Sequence, residues 1–480
     1  MIFSRRQFIA GTAALPLAGS RLARAGVPAS PLPGPINPLV RRRADAQVFR
    51  HDDGFYYMTG SVPEYDRLVL RRARTLAGLA TADERVLWRH LSSGPMSGFI
   101  WAPEMHRIGE RWIMYFAAGP SGGGEDVFRI RTYAIACDGP DPMTGNWSVL
   151  GQFQAPWDSF NLDSTSFVHR GTRYFAWAQR EPGIETNSNL YLAPLDTPLT
   201  LARDAIRLSV PTLDWEIRGF KVNEAPAVLA RNGRLFMTYS ASATDARYCL
   251  GLLTAPADAD IMDPALWVKS PEPVFTTCRE TSVYGPGHNS FTMDEQGRDM
   301  LVYHGRDYEA IEGDPLFNPD RHTRVQRLYY KADGSPDFGV PVGNGPLPER
   351  FASKADPARH LAHDGTRLLA GDAALPATQF RATGASRTPD GDAAGSATVT
   401  IAPILLPGHA ILARDDGSVL LARDDGSADF RRRTRFSRVD GPAGTTRFLS
   451  AVAPDKALAA GNGAVRLAPR RDPGAGWIAD

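Results

Sequence analysis

The sequence predicts an all-β protein: a five-bladed β-propeller followed by a β-trefoil. Three observations carry that expectation. A strand–turn–strand pattern recurs five times, its first residues Asp45, Glu104, Asp163, Glu224 and His288 standing 59, 59, 61 and 64 residues apart. In each copy a glycine follows five to nine positions later and a β-branched or aromatic run comes after it, which is how a hairpin reads. Gly (45) and Pro (38) are abundant, and helical spacing shows only around 72–82.

Taken in chain order, the first segment stands outside the fold. SRRQFIAGTAALPLAGSRLARA sets Arg5 and Arg6 ahead of a weakly apolar run, with ARA at 23–25 as a cleavage site. The run is too short and too broken by Gly and Pro to span a bilayer. Residues 1–25 are expected to be a twin-arginine export signal, cleaved after Ala25, sending a folded protein to the periplasm or beyond.

The five copies are DAQVFRHDDGFYYMTGS, EMHRIGERWIMYFAAG, DSTSFVHRGTRYFAWAQ, EAPAVLARNGRLFMTYSAS and HNSFTMDEQGRDMLVYHGR. A repeat of about 60 residues with two central strands describes a propeller blade, and five fill residues 37–352. One blade cannot bury both its faces; a closed ring of them can. A β-sandwich does not explain the near-equal spacing. Innermost strands line the central channel, so Asp45, Glu104, Asp163, Glu224 and His288 are expected to converge at one end of it.

Nothing about stability recommends such a ring, because converging carboxylates repel and raise one another's pKa. Clustered, perturbed acids mark a functional site. Two separated carboxylates can hydrolyse a glycosidic bond, one activating water and one protonating the leaving oxygen, with a third orienting the acid. Aromatic neighbours suit a sugar pocket: Trp101 before Glu104, and Phe220 and Tyr284 ahead of the fourth and fifth inner strands. Trp177 reads as blade core.

The remaining features narrow the class. Net charge is +1 with no basic stripe, which argues against nucleic acid as a partner. Cys137, Cys249 and Cys278 are odd in number and widely spaced, so buried free thiols are expected rather than a disulfide framework or a zinc site. The glycine-rich SGGGED at 121–126 lacks the Lys-Ser/Thr of a phosphate cradle and reads as a mobile loop over the channel mouth. No organic cofactor is indicated.

RADAQVFRHDDGFYYMTGSVPEYDRLVLRRA, IWAPEMH, LDSTSFVHRGTRYFAWAQ, VNEAPAVLARNGRLFMTYSAS and GPGHNSF together resemble glycoside hydrolase family 43 over residues 37–352. The VPEYDRL and WAPE forms are most similar to its exo-acting α-L-arabinofuranosidases on 1,5-linked arabinan. The resemblance implies inverting hydrolysis with Asp45 as general base, Glu224 as general acid and Asp163 as the group that modulates the acid. It implies that His288 stands beside a channel ion, usually Ca2+, that Arg324 approaches the sugar or the base, and that Glu104 contacts substrate. Ala46 replaces the family's usual proline. Ala225 stands where Gly is common, and its methyl is expected to narrow the pocket slightly. The substrate implied is plant cell-wall arabinan or its oligosaccharides, handled by a monomer without nucleic-acid or membrane partners. β-Xylosidase or endo-arabinanase activity, or a non-catalytic sugar-binding propeller, stay open as alternatives.

From Asp356 the composition shifts towards Ala, Arg, Asp and Gly. Pieces beginning at Pro357, Pro407 and Gly444 each set a D-G or N-G turn between short apolar strands, suggesting a trefoil over 356–480. This resembles the arabinose-binding trefoil fused to such propellers. His363 matches its sugar-reading histidine in the first repeat only, and the acid of its D-A-T-F stretch is missing at 377–380 and 433–436. Loss of arabinan binding is the expectation.

Overall fold

A computed structural model describes residues 34–121, 126–384 and 397–480. The export signal and most of the SGGGED segment lie outside them.

Five antiparallel sheets follow one another along the chain, each built from its inner strand outwards. Blade 1 holds Ala44–Arg50, Tyr56–Ser61, Arg67–Ala73 and Glu84–Arg89. Blade 2 holds Gly98–Ile108, Arg111–Gly119, Arg131–Cys137 and Trp147–Gln152. Blade 3 runs Asn161–His169, Thr172–Gln179 and Asn189–Thr197, with Ile206–Ser209 outside. Blade 4 runs Asn223–Arg231, Arg234–Ala241, Cys249–Pro256 and Val268–Lys269. Blade 5 has Tyr284–Met293, Asp299–Arg306 and His322–Arg327. Its outer edge is met by the start of the chain: the Leu39 N–H donates to the Thr323 carbonyl at 2.8 Å, and Asn37 exchanges hydrogen bonds with the Val325 backbone at 2.8 and 2.9 Å. The first and last parts of the ring are thereby tied together.

The hairpin turns form where the glycines stand. Gly54, Gly109, Gly171, Gly233 and Gly297 all have positive φ, between 58 and 82°, a region that costs other residues a clash at Cβ. The helical spacing near 72–82 gives only a 3-10 turn at Ala77–Ala80. Blades are glued by large side chains between sheets. Tyr115, Phe153, Phe175, Trp177 and Tyr191 pack between blades 2 and 3, each at most 1% exposed. Full burial of such a side chain is worth about 1.5–3 kcal/mol. Trp177 is core, as expected, and Cys137, Cys249 and Cys278 are buried free thiols.

Among the described residues the C-terminal region is built of strands, with a short α-helix at Ala428–Arg433 and three 3-10 turns. Hairpins at His360–His363/Leu368–Gly371, His409–Ala413/Val419–Arg423 and Lys456–Gly461/Ala464–Pro469 turn on Gly365, Gly417 and Gly463. They surround a core of Phe351, Phe380, Ile401, Phe436, Phe448 and Trp477. Polar contacts cross the junction with the propeller. Arg438 grips Glu349 through two hydrogen bonds of 2.7 and 2.8 Å, and Arg381 donates to the carbonyls of Gly343 and Asn344. His363 is 6% exposed, and its Nδ1 accepts the Gly365 N–H of its own turn.

Candidate active site

Every inner strand interrupts its ladder at one equivalent place, and those of blades 2 and 5 do so a second time just before it. In blade 1, Asp45 and Ala46 lie between the pairs Ala44–Ser61 and Gln47–Thr59, so two residues face one. The same irregularity begins at Ala102, Asp163, Ala225 and His288 in the other blades. The first bulge residue is left-handed in all five, with φ of 54, 46, 49, 53 and 44° in chain order. Bulges re-aim side chains next to active sites. Holding a non-glycine residue this way costs about 1–2 kcal/mol each.

The bulge corrects the alignment read from the acids. Asp45, Asp163 and His288 are equivalent, but their counterparts in blades 2 and 4 are Ala102 and Ala225. Glu224 stands one residue before its bulge and Glu104 two residues after. The row after the bulge (Gln47, Glu104, Thr165, Ala227 and Ser290) lines a separate stretch of channel of about 180 Å³. There Glu104 lies 3.1 Å from His106 Nε2 and 3.5 Å from Gln47 Nε2. It does not line the cavity that holds the other three carboxylates and His288. Strand letters give no sign of an inserted residue, so an acid-by-acid alignment slips in two blades.

Neighbouring blades hold the strained backbone. The N–H of Asp45 donates to His304 Nδ1, that of Ala102 to Ser61 Oγ, and that of His288 to Ser240 Oγ, at 3.2, 2.8 and 2.8 Å. His304, Ser61 and Ser240 occupy one register position of the second strand in the preceding blade. Ring closure therefore builds the site, since blade 5 supplies the cap for blade 1.

The cavity at this end is about 240 Å³ and is lined by Asp45, Asp163, Glu224, His288, Arg321 and Tyr248, under apolar walls that include Trp101, Phe128 and Phe220. All three carboxylates are nearly buried or, for Glu224, partly so. Burial pushes the Asp45 carboxyl up, but the Arg321 guanidinium beside it outweighs burial and holds its pKa well below the usual carboxylate range. Arg321 Nη1 donates to Asp45 Oδ1 at 3.2 Å and Ser61 Oγ donates to Oδ2 at 2.6 Å. Asp163 moves the other way: burial, then the charges of Glu224 and Asp45, push it well above. Burial also raises Glu224, to about 7, against a hydrogen bond from Tyr248. Burial keeps His288 and His304 neutral by lowering their pKa. One carboxylate is thus kept ionised and two are kept protonated towards neutrality, which is the division of labour an acid–base pair needs.

The expected site residues fall into two groups. Asp45, Asp163, Glu224, His288, Trp101 and Phe220 meet at one cavity. Trp101 also packs edge-on against Tyr65 and Phe99, and its buried Nε1 has no partner among the described residues. Tyr284 pairs with Arg306 at the start of the fifth inner strand and does not line the cavity. Arg324 is corrected: its side chain is fully buried, bonded to Asp307, Asn344 and the Val342 carbonyl, away from the acids. Arg321, three residues earlier and so on the opposite side of an extended segment, is the arginine at the base. Ala225 does not line the cavity, so its methyl does not narrow it; its left-handed φ accounts for a preference for Gly there. Sequence reading also missed Tyr248 and His304, whose letters carry no repeat signal.

His288 does not bring a protein cage for calcium. Ca2+ takes six to eight oxygen ligands, and no group of three His, Cys, Asp or Glu suited to a metal occurs among the described residues. The nearest carboxylates, Asp45 and Asp163, stand 3.3 and 3.7 Å from His288 Nδ1, and Asp45 is already committed to Arg321 and Ser61.

The chain is similar to known proteins over most of its length. The model of the glycosyl hydrolases family 43 matches residues 35–336. A Streptomyces avermitilis protein named extracellular exo-alpha-(1->5)-L-arabinofuranosidase is 50% identical over 362 residues, 75% of each chain. Alpha-L-arabinofuranosidase B of Pyricularia oryzae is 41% identical over 418 residues, 85% of this chain and 84% of that one. The crystal structure of alpha-L-arabinofuranosidase from Lactobacillus brevis superposes with a TM-score of 0.63 at 49% identity, covering 65% of this chain and 98% of that chain.

Proposed function

This chain belongs to the glycosyl hydrolases of family 43, and on that premise we propose that it is an inverting exo-α-L-arabinofuranosidase releasing L-arabinofuranose from 1,5-linked arabinan or arabino-oligosaccharides. The observation that carries the reading is the opposed tuning of Asp45 and Glu224 at one cavity. Asp45, ionised, takes a proton from a water whose oxygen attacks the anomeric carbon. Glu224, protonated, gives its proton to the glycosidic oxygen as that bond breaks on the opposite face. Asp163, at the same cavity, orients the acid, while burial and the Asp45 charge keep the acid's pKa high. Trp101 lines the cavity wall, and Phe220 offers an apolar face at the mouth.

Action outside the cytoplasm fits the Arg5–Arg6 export signal and the relatives' names, and the C-terminal region is read as a trefoil that packs against the propeller rather than binding arabinan. The test is to digest linear 1,5-arabino-oligosaccharides and follow the first product by proton NMR. Release of β-L-arabinofuranose before mutarotation is the expected result. First release of the α-anomer, or no release of arabinose, overturns the proposal.

A further inference from the structure

We infer that Tyr248 is a positioning residue for the acid: its hydroxyl fixes the Glu224 carboxyl and sets the pH at which that carboxyl loses its proton. Tyr248 Oη donates to Glu224 Oε1 at 2.7 Å. The ring itself is immobilised. It lies parallel to His304, 5.6 Å between centroids and 3° between planes. On another side it fills the space a side chain at 287 would need, since a Cβ on Gly287 would come 2.3 Å from the ring. Ser240, whose Oγ accepts the His288 N–H, lies beside the tyrosine on the same wall.

A phenol that donates to a carboxyl oxygen favours the charged form. The other groups facing Glu224 are Asp45, which opposes its ionisation, Arg321, which favours it, and Asp163, His288 and His304 around the same cavity. Burial alone would leave the acid protonated beyond the point where it can release its proton usefully; Tyr248 draws it back. The left-over conformations of an unheld carboxyl also reduce the fraction aimed at the leaving oxygen.

This inference rests on Glu224 being the acid, and the experiment separates the two. The pH dependence of kcat/KM for an arabino-oligosaccharide is measured for the wild type, Tyr248→Phe, Gly287→Ala and Glu224→Gln. The expected result is an alkaline limb moved upward by about one pH unit in Tyr248→Phe, with kcat near neutrality lowered about tenfold. Gly287→Ala displaces the ring without removing the hydroxyl and should move the limb the same way. An alkaline limb in Tyr248→Phe that stays in place, or moves down, overturns the inference while Glu224→Gln loses turnover by about a hundredfold or more. Turnover in Glu224→Gln close to that of the wild type, with the alkaline limb unchanged, overturns the underlying assignment instead. Should Tyr248→Phe fail to fold, the limb of Gly287→Ala decides.

Discussion

Arg321 places its Nη1 3.2 Å from Oδ1 of Asp45, across 276 residues of sequence, while Nη2 donates to Tyr65 Oη at 2.9 Å. The contact joins the approach to the last strand of blade 5 to the first strand of blade 1. It keeps the base ionised in a cavity whose burial would otherwise neutralise it. An Asp beside a guanidinium has its pKa lowered by about 1–3 units.

Removing that guanidinium should therefore raise the acidic limb of kcat/KM. In Arg321→Met the base picks up its proton at a higher pH, by about 1–3 units, and activity below neutrality falls first. Arg324→Met should leave that limb where it is and lower the melting temperature, because its partners are structural. The two profiles, measured side by side, check the assignment of the arginine.

The wild-type profile should be bell-shaped and lie on the acid side. Glu224 must keep its proton, so activity declines as pH rises through about 7. Asp45 must lose its proton, so the acidic limb lies well below the ordinary carboxylate range. In Glu224→Gln, kcat should fall by about 10²–10⁴, and the decline near 7 should vanish from the remaining activity.

Trp101→Phe keeps a ring in the wall but shrinks the apolar surface that lines the cavity. The expected outcome is weaker binding of arabino-oligosaccharides by about 1 kcal/mol, read as a rise in KM or inhibitor Kd.

Ala225→Gly should stabilise the protein by about 1 kcal/mol, because Ala225 sits at φ 53° with no role in lining the cavity. Urea unfolding measures it, and kcat should not change.

Glu216 is fully buried and held by the N–H groups of Thr212 and Leu213, Asn223, Tyr239 and Lys269. Burial pushes its pKa up, and these partners pull it below the ordinary value. A depressed folded-state pKa stabilises above the unfolded value and is lost as pH falls through the folded one. Stability should thus drop on acidification below about 4. Lys269→Met, which strands the charge, should cost about 3–5 kcal/mol at neutral pH, read by chemical denaturation.

The sequence by itself determined the five hairpins, their spacing and the identity of Asp45, Asp163, Glu224 and His288 as site residues. Period-two strands and turn glycines are local signals, and each is written where it acts. Register across the ring was decided elsewhere. An extra residue in every inner strand shifts Glu104 away from the cavity and leaves alanine at two of five equivalent positions, and no letter marks it. Arg321, Tyr248 and His304 were equally out of reach, because each acts on a strand hundreds or tens of residues away. Their roles exist only once the blades close and the low-dielectric cavity makes a 3 Å contact strong enough to set a proton's affinity.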